Sequence, residues 1–397
     1  MSRRSRRLGA LLACLFLLPG LGLAACGDEE QSGPAAPAGQ DFAAIEAAAQ
    51  GQTVRIWMYS GNQNINRFID GDLTRAVQKR GVKIRRVPID DAEAVDRVSG
   101  EKRAGKDSGG GVDLYWSNGR LFAKGKNLKL WERDWATDLP NYRRYVPAAS
   151  KLITDDFGVA VDGQESPWLS AAFQYAYDSA KVEDPPADFD ELLAYARENP
   201  GRVAYPAPPD FTGNAFVTQV VRHFGDDADQ AFAYLAELKP LTYKEGRTYP
   251  ESEAELAELF SNDQVDFGMA YDPNYTSNGV RTGQFPKTAR PFLLDGRALV
   301  NYSFMSLPFN AKNAEGAKVV ADTLLSPEIQ ARIADPKVLG NPPVIDLARV
   351  TPEQRRRFEF PADDRYRLKS FGAAPWTEYA SARNMEFEQR WKREILR

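Results

Sequence analysis

Between Val54 and Arg120 the chain alternates strand-like and helix-like runs, and this alternation limits the fold more tightly than any other feature. Val54 to Tyr59 is a short apolar run rich in β-formers, ended by Ser60-Gly61-Asn62. Ile65, Phe68, Ile69, Leu73 and Val77 then recur at helical spacing, and Gly81 sits where a left-handed residue closes a helix. Val82 to Val87 predicts a second strand, and Asp91 to Lys106 a polar surface helix. A Ser108-Gly109-Gly110-Gly111 turn leads into a third strand, Val112 to Trp116, and a helix begins near Arg120. Strand–helix–strand–helix–strand at this spacing implies the α/β class, with a parallel sheet.

Parallel sheets bind ligands at the carboxyl ends of their strands, where helix N-termini gather. Two such ends carry the same chemistry, Ser60-Gly61-Asn62 and Ser117-Asn118-Gly119. Serine and asparagine cap helices, and glycine lets a ligand approach backbone N–H groups. Both uses, plain capping and ligand contact, fit these residues.

A second unit follows Trp168. It reads as a strand at Phe173–Tyr177, a helix at Phe189–Arg197 and a strand at Gly201–Tyr205. A proline-rich loop from Pro206 to Gly213 precedes an apolar helix, Ala215 to Phe224. The loop offers the ring of Phe211 and a capping Thr212, which suits either a binding-site wall or a stiff connection. Gln264 to Tyr271 predicts another strand with a turn at Asp272-Pro273-Asn274, and Leu299 to Leu307 a further strand. Asn313 to Ala334 predicts two helices joined at Ser326-Pro327.

The first 25 residues have their own pattern. Arg3, Arg4, Arg6 and Arg7 precede an apolar run from Leu8 to Leu23, as in a secretory leader. Leu23-Ala24-Ala25-Cys26 resembles a bacterial lipobox, which implies cleavage before Cys26 and acylation of its sulfur. Residues 27 to about 41, rich in Gly, Ala, Pro and acid, read as a flexible tether. Cys14 leaves with the leader, so no disulfide staples the exported body, which must hold together by burial. Loss of the four leader arginines takes the formal charge from −4 to −8, which makes the chain a poor candidate for nucleic acid, whose binding needs a basic stripe.

Most catalytic chemistry is missing. His223 is the only histidine and sits on an amphipathic helix, so no histidine metal cluster forms and neither metal nor cofactor is expected. No G-x-S-x-G or H-E-x-x-H motif occurs. Gly100 to Lys106 imitates a phosphate loop, but Asp107 stands where magnesium needs Ser or Thr. Carboxylate pairs remain, at Asp90-Asp91, Asp226-Asp227 and Asp363-Asp364, in polar surroundings typical of solvated loops. They leave a lipid-anchored envelope hydrolase as the alternative to a non-enzyme.

Three stretches resemble one family, the extracytoplasmic solute-binding lipoproteins of bacterial ABC importers. The late helices through Pro342-Pro343-Val344 carry the general likeness. Val112 to Gly119 and Tyr205 to Gly213 resemble a subfamily related to polyamine, thiamine and ferric-ion binders. The resemblance implies a two-lobe type II periplasmic-binding fold with a cleft between the lobes. On this reading residues 1–25 are the leader and 26–50 the lipidated cysteine and tether. Residues 51–172 and 272–345 form lobe 1, 173–271 form lobe 2, and 346–397 pack helices across both. The chain would cross near Tyr175–Asp178 and return near Ala270–Pro273.

The implied site residues are Ser60, Gly61, Asn62, Ser117, Asn118, Tyr205, Phe211, Thr212, Gly213 and Tyr271. The implied activity is capture of a small solute, thiamine-like or polyamine-like, by a monomer outside the cytoplasmic membrane. Its partners would be an ABC permease with its ATPase, and the membrane through acylated Cys26. Without a Tyr-Tyr pair, iron fits poorly.

Overall fold

The computed structural model describes residues 41–360 and 365–397, apart from 61 and 90–92. Gly61, Cys26, the leader, most of the tether and the doublets Asp90-Asp91 and Asp363-Asp364 therefore lie outside the described residues.

The strands, in chain order, are β1 (Thr53–Met58), β2 (Lys83–Pro88), β3 (Leu114–Ser117), β4 (Asp155–Asp156), β5 (Val159–Ala160) and β6 (Glu165–Ala172). They continue with β7 (Gln174–Asp178), β8 (Phe267–Ala270), β9 (Ala289–Phe292), β10 (Leu299–Ser306) and β11 (Trp376–Thr377). Among the described residues they form a six-stranded sheet, a three-stranded sheet and the small β4–β5 hairpin.

The large sheet runs β11-β10-β3-β1-β2, with β6 also on β10. β1 pairs parallel with β2 and β3, as the alternation implied, whereas β10 runs antiparallel to both β3 and β6. Helix Gln63–Gln78, with a π-helical turn at Ile69–Leu73, covers one face together with Ala314–Leu324 and Pro327–Ala334. Helix Glu93–Arg103 covers the other, setting Ala94, Val95 and Val98 against Trp57, Tyr115 and Phe122. Covered on both faces, β1 is mostly buried rather than alternating along its length.

The small sheet, β8-β7-β9, is antiparallel. Its core gathers Phe189, Tyr205, Phe216, Tyr234 and Phe267 with Trp391 from the last helix, Ser381–Glu394. Gly201–Tyr205 forms no strand; only an isolated bridge joins Val203 to Thr242.

The crossings between the two bodies differ from expectation. β6 of the large sheet runs through Phe173 directly into β7 of the small one. Residues 272–292, expected with the first body, supply helix Tyr275–Thr282 and strand β9, which belong to the small sheet and its core. The chain re-enters the large sheet at Leu299, whose carbonyl accepts from Phe173 N–H at 2.8 Å, so the two crossings are tied together. The last crossing is the C-terminal segment. β11 pairs with β10, and the following helix buries Phe387 and Trp391 in the small body. Trp391 is fully buried, worth about 3 kcal/mol to a chain end that would otherwise fray.

Candidate functional site

Helix N-termini were the first candidates for ligand contact, and the protein's own oxygens occupy them. Asn62 Oδ1 accepts from Asn64 and Ile65 N–H at 3.0 and 3.1 Å, capping its own helix. Gly119 N–H donates to Asp156 Oδ2 at 2.6 Å, and Gly213 N–H to Asp210 Oδ1 at 3.0 Å. Such ends attract anions because of their free N–H groups and positive dipole. With an internal carboxylate or amide on each, an anionic ligand gains little there.

Ser117 is buried, its hydroxyl 2.5 Å from that of Ser306, and it donates to Glu165 Oε2 at 3.1 Å. Glu165 and Asp156 are both almost fully buried, and Oε1 and Oδ1 have no partner among the described residues. Burial pushes both carboxyls far above the usual range; Asp156 adds to the rise at Glu165, and Asp155 to that at Asp156.

Aromatic rings link the two bodies next to this cluster. Phe157, in the β4–β5 turn and beside Gly119, lies 6.3 Å from Phe211 of the small body. Phe211 lies 5.1 Å from Tyr271, and Tyr271 lies 5.8 Å from Phe173 at the first crossing. Phe211 remains 48% exposed despite these contacts.

Behind the rings stand three half-buried carboxylates, Glu253, Asp272 and Glu378. Thr212 Oγ1 donates to Glu253 Oε2 at 2.7 Å, and Tyr271 N–H to the same oxygen at 3.3 Å. Asp272 accepts from Asn274 N–H at 2.8 Å, and Glu378 from Asn384 Nδ2 at 3.3 Å. The buried Tyr271 hydroxyl interacts with Glu378 without completing a hydrogen bond of regular geometry. Burial raises Glu253 to about 7, Asp272 to about 6 and Glu378 to about 7; Asp272 and Asp210 push Glu253 further up. Among the described residues, the cations that reach these acids and the pair behind Ser117 are Lys126 near Glu165 and Arg222 near Glu378. Both are engaged elsewhere, Lys126 with Asp162 at 2.6 Å and Arg222 with Asp226 at 3.0 Å.

Of the sequence-derived residues, the structure brings Phe211, Thr212 and Tyr271 together. Tyr205 is a core residue, wholly buried, stacked on Phe216 at 4.4 Å and accepting from Trp391 Nε1 at 3.0 Å. Gly213 serves chain packing, since a Cβ there would lie 2.2 Å from the Pro206 carbonyl oxygen. Asn118 donates to the Tyr302 carbonyl at 2.9 Å, and Ser60 accepts from Asn66 Nδ2 at 2.7 Å. Phe157, Asp156, Glu165, Glu253 and Glu378 went unnoticed in the sequence. Asp155-Asp156 was the one detectable signal, an acid doublet directly before an aromatic residue.

Other charged features are internally satisfied. His223 Nδ1 lies 2.9 Å from Asp295 and its ring packs on Phe189, a structural arrangement. Asp227 caps its helix at Asp229 and Gln230 N–H. A cavity of about 240 Å³ opens elsewhere in the small body, beside Asp178, Lys181 and Asp263. Lys181 pairs with Asp263 at 2.7 Å, and Arg202 with Asp263 at 2.8 Å, so its charges answer one another.

The family described as bacterial extracellular solute-binding protein matches residues 72–356. Protein YnjB of Escherichia coli (strain K12) is 34% identical over 336 residues, covering 80% of this chain and 86% of that protein. A substrate binding protein of an ABC transporter from Agrobacterium tumefaciens superposes with a TM-score of 0.64 at 18% identity, covering 87% of this chain and 95% of the other. A periplasmic thiamin binding protein gives 0.56 at 18% identity, covering 87% and 96%. Likeness at this level shows the fold. The two bodies are the lobes of the type II periplasmic-binding architecture.

Proposed function

We propose, from the premise that this chain belongs to the bacterial extracellular solute-binding proteins, that it captures a small organic cation between its lobes and passes it to an ABC permease with its ATPase. Membership places the protein outside the cytoplasm, facing the periplasm or exterior. In the proposal, acylated Cys26 holds it at the membrane and the 27–41 tether lets a monomeric body reach the permease. We assign residues 51–172 and 299–356 to lobe 1 and 174–298 to lobe 2, with the C-terminal segment across both.

One observation carries the cation reading: half-buried acids that form no ion pair among the described residues stand beside a row of aromatic rings. A carboxylate removed from water is costly unless a positive group accompanies it. Ring faces attract cations as well, most strongly where water is excluded. Phe157, Phe211 and Tyr271 with Glu253, Asp272 and Glu378 therefore suit a flat, ring-bearing cation of the thiamine kind. A linear polyamine is the second reading, favoured by the number of acids. Ser60, Asn62, Ser117 and Asn118 act as supports in this proposal. No observation supports the hydrolase alternative.

A thermal-shift screen of the purified protein against thiamine, spermidine, uncharged analogues and anionic metabolites tests this. A cation present at 100 times its Kd should stabilise the protein by about 2.7 kcal/mol and be recovered unchanged. Stabilisation by anions alone, or consumption of the solute, would overturn it.

A further inference from the structure

We propose that the C-terminal strap completes the solute site and sets its charge preference, with Glu378 as counter-ion to the solute's positive centre. This rests on the cation reading above and goes beyond it to a specificity residue. The strap lies past the residues matched by the family, 72–356, so nothing in that match assigns it a role in binding.

Four contacts fix the strap where it can act. β11 pairs with β10, and Trp376 N–H donates to the Ala298 carbonyl at 2.9 Å. Arg222 stacks on Tyr379 with its guanidinium carbon 3.8 Å from the ring centroid, while the Tyr379 hydroxyl donates to Asp226. Ser381 N–H donates to the Phe157 carbonyl at 3.0 Å. Trp391 is anchored in the small body on Tyr205. Glu378 is thus held between the edge of the large sheet, the Phe157 turn of one lobe and Tyr271 of the other. A cation between Phe157, Phe211 and Tyr271 would meet it as the lobes close.

The oxygens of the neighbouring acids are more heavily committed. Glu253 holds the Thr212 hydroxyl and the Tyr271 backbone, and Asp272 holds the start of helix Tyr275–Thr282. Glu378 has one long hydrogen bond, from Asn384 at 3.3 Å, and an incomplete one with Tyr271. The cation nearest in influence, Arg222, engages Asp226, the Thr377 carbonyl and the Tyr379 ring and forms no ion pair with Glu378, although its buried Nε has no hydrogen-bond partner among the described residues. Burial pushes the Glu378 carboxyl up, and the hydrogen bonds from Asn384 and Tyr271 and the charge of Arg222 only partly offset it.

The test compares the parent protein with Glu378→Gln and Glu378→Asp, using thiamine, spermidine and choline as cations and 3,3-dimethylbutanol as the uncharged isostere of choline. Calorimetric titration should show Glu378→Gln binding the best parent cation at least about tenfold more weakly. Glu378→Asp should recover part of that loss, and the melting temperature of the empty proteins should stay within a few degrees. Gln keeps the hydrogen bonds to Asn384 and Tyr271, so a purely structural Glu378 would leave cation affinity unmoved. A parent that binds a cation which Glu378→Gln binds within twofold overturns this inference and leaves the cation reading standing. A parent that binds none of the three cations overturns both. Should Glu378→Gln misfold, Glu378→Asp binding its cation as tightly as the parent while Tyr271→Phe alone weakens it would likewise overturn the role of the charge.

Discussion

Asp113 and the acids beside Tyr271 hold the same functional group in opposite states. Asp113, in lobe 1, is fully buried and receives five hydrogen bonds, three from Arg55 and two from Asn313. Burial alone would raise its carboxyl, yet the hydrogen bonds and charge of Arg55 and those of Asn313 hold it below the ordinary range. Glu253, Asp272 and Glu378 are half-buried and raised by burial, and among the described residues only the charge of Arg222, itself paired with Asp226, acts against the rise at Glu378. The lesson lies in the partner: an acid paired with its cation stays low when buried, and one without such a pair is pushed up. Asp156 and Glu165 form a third case, buried so deeply that protons substitute for the missing charge.

The sharpest break of this comparison is to remove the architectural acid. Asp113→Ala strands Arg55 and the Asn313 turn, and should cost about 3 kcal/mol or more, read as a fall in denaturation midpoint. Affinity of the remaining folded protein should change little; a large affinity loss at unchanged stability would erase the distinction between the two regions. Phe211→Ala should do the opposite. It removes a ring already 48% exposed, so folding persists while solute binding weakens by roughly 2 kcal/mol in a calorimetric titration.

The third case predicts a pH dependence with a definite sign. Asp156 is raised from 3.8 to about 8 in the folded protein, so between those values the folded state binds more protons than the unfolded one. Stability is then full below about 4 and is lost as pH rises through about 8. Asp156→Asn keeps an acceptor for Gly119 N–H and removes this titration. It should exceed the parent by roughly 1–2 kcal/mol at pH 8.5 and flatten the profile. A variant that follows the parent curve would show the pair to be ordinary solvated acids. The smallest effect belongs to a cap: Asn62→Ala should cost about 1 kcal/mol of stability and leave affinity alone.

Much of lobe 1 was legible because its elements carry clean periods. β1, the helix to Gln78 with Gly81 at φ +79°, and β2 follow the pattern closely, as do the helices parted at Ser326-Pro327. β6, Glu-Ser-Pro-Trp-Leu-Ser-Ala-Ala, was not legible. Nearly every residue in it is buried, so no alternation marks it, and its partner β10 lies more than 120 residues away. Gly201–Tyr205 failed for the converse reason: it has strand-like residues but no neighbouring strand to complete a ladder.

Local chemistry alone determined the α/β alternation, the caps and the candidacy of Phe211, Thr212 and Tyr271, because strand ends and helix starts are written in adjacent residues. Tertiary structure decided that Asp156 fills the Gly119 helix end, and which acids form no ion pair. Phe157, Phe211, Glu253, Tyr271 and Glu378 span more than 200 residues, and two chain crossings plus a C-terminal strap bring them together. Charge state followed the same rule. Asp113 and Glu378 are indistinguishable in kind as acids in a sequence, and differ because Arg55 pairs directly with one, while the cation nearest the other, Arg222, pairs with Asp226 instead. Electrostatic partnership depends on distance and burial, and both exist only once the chain has folded.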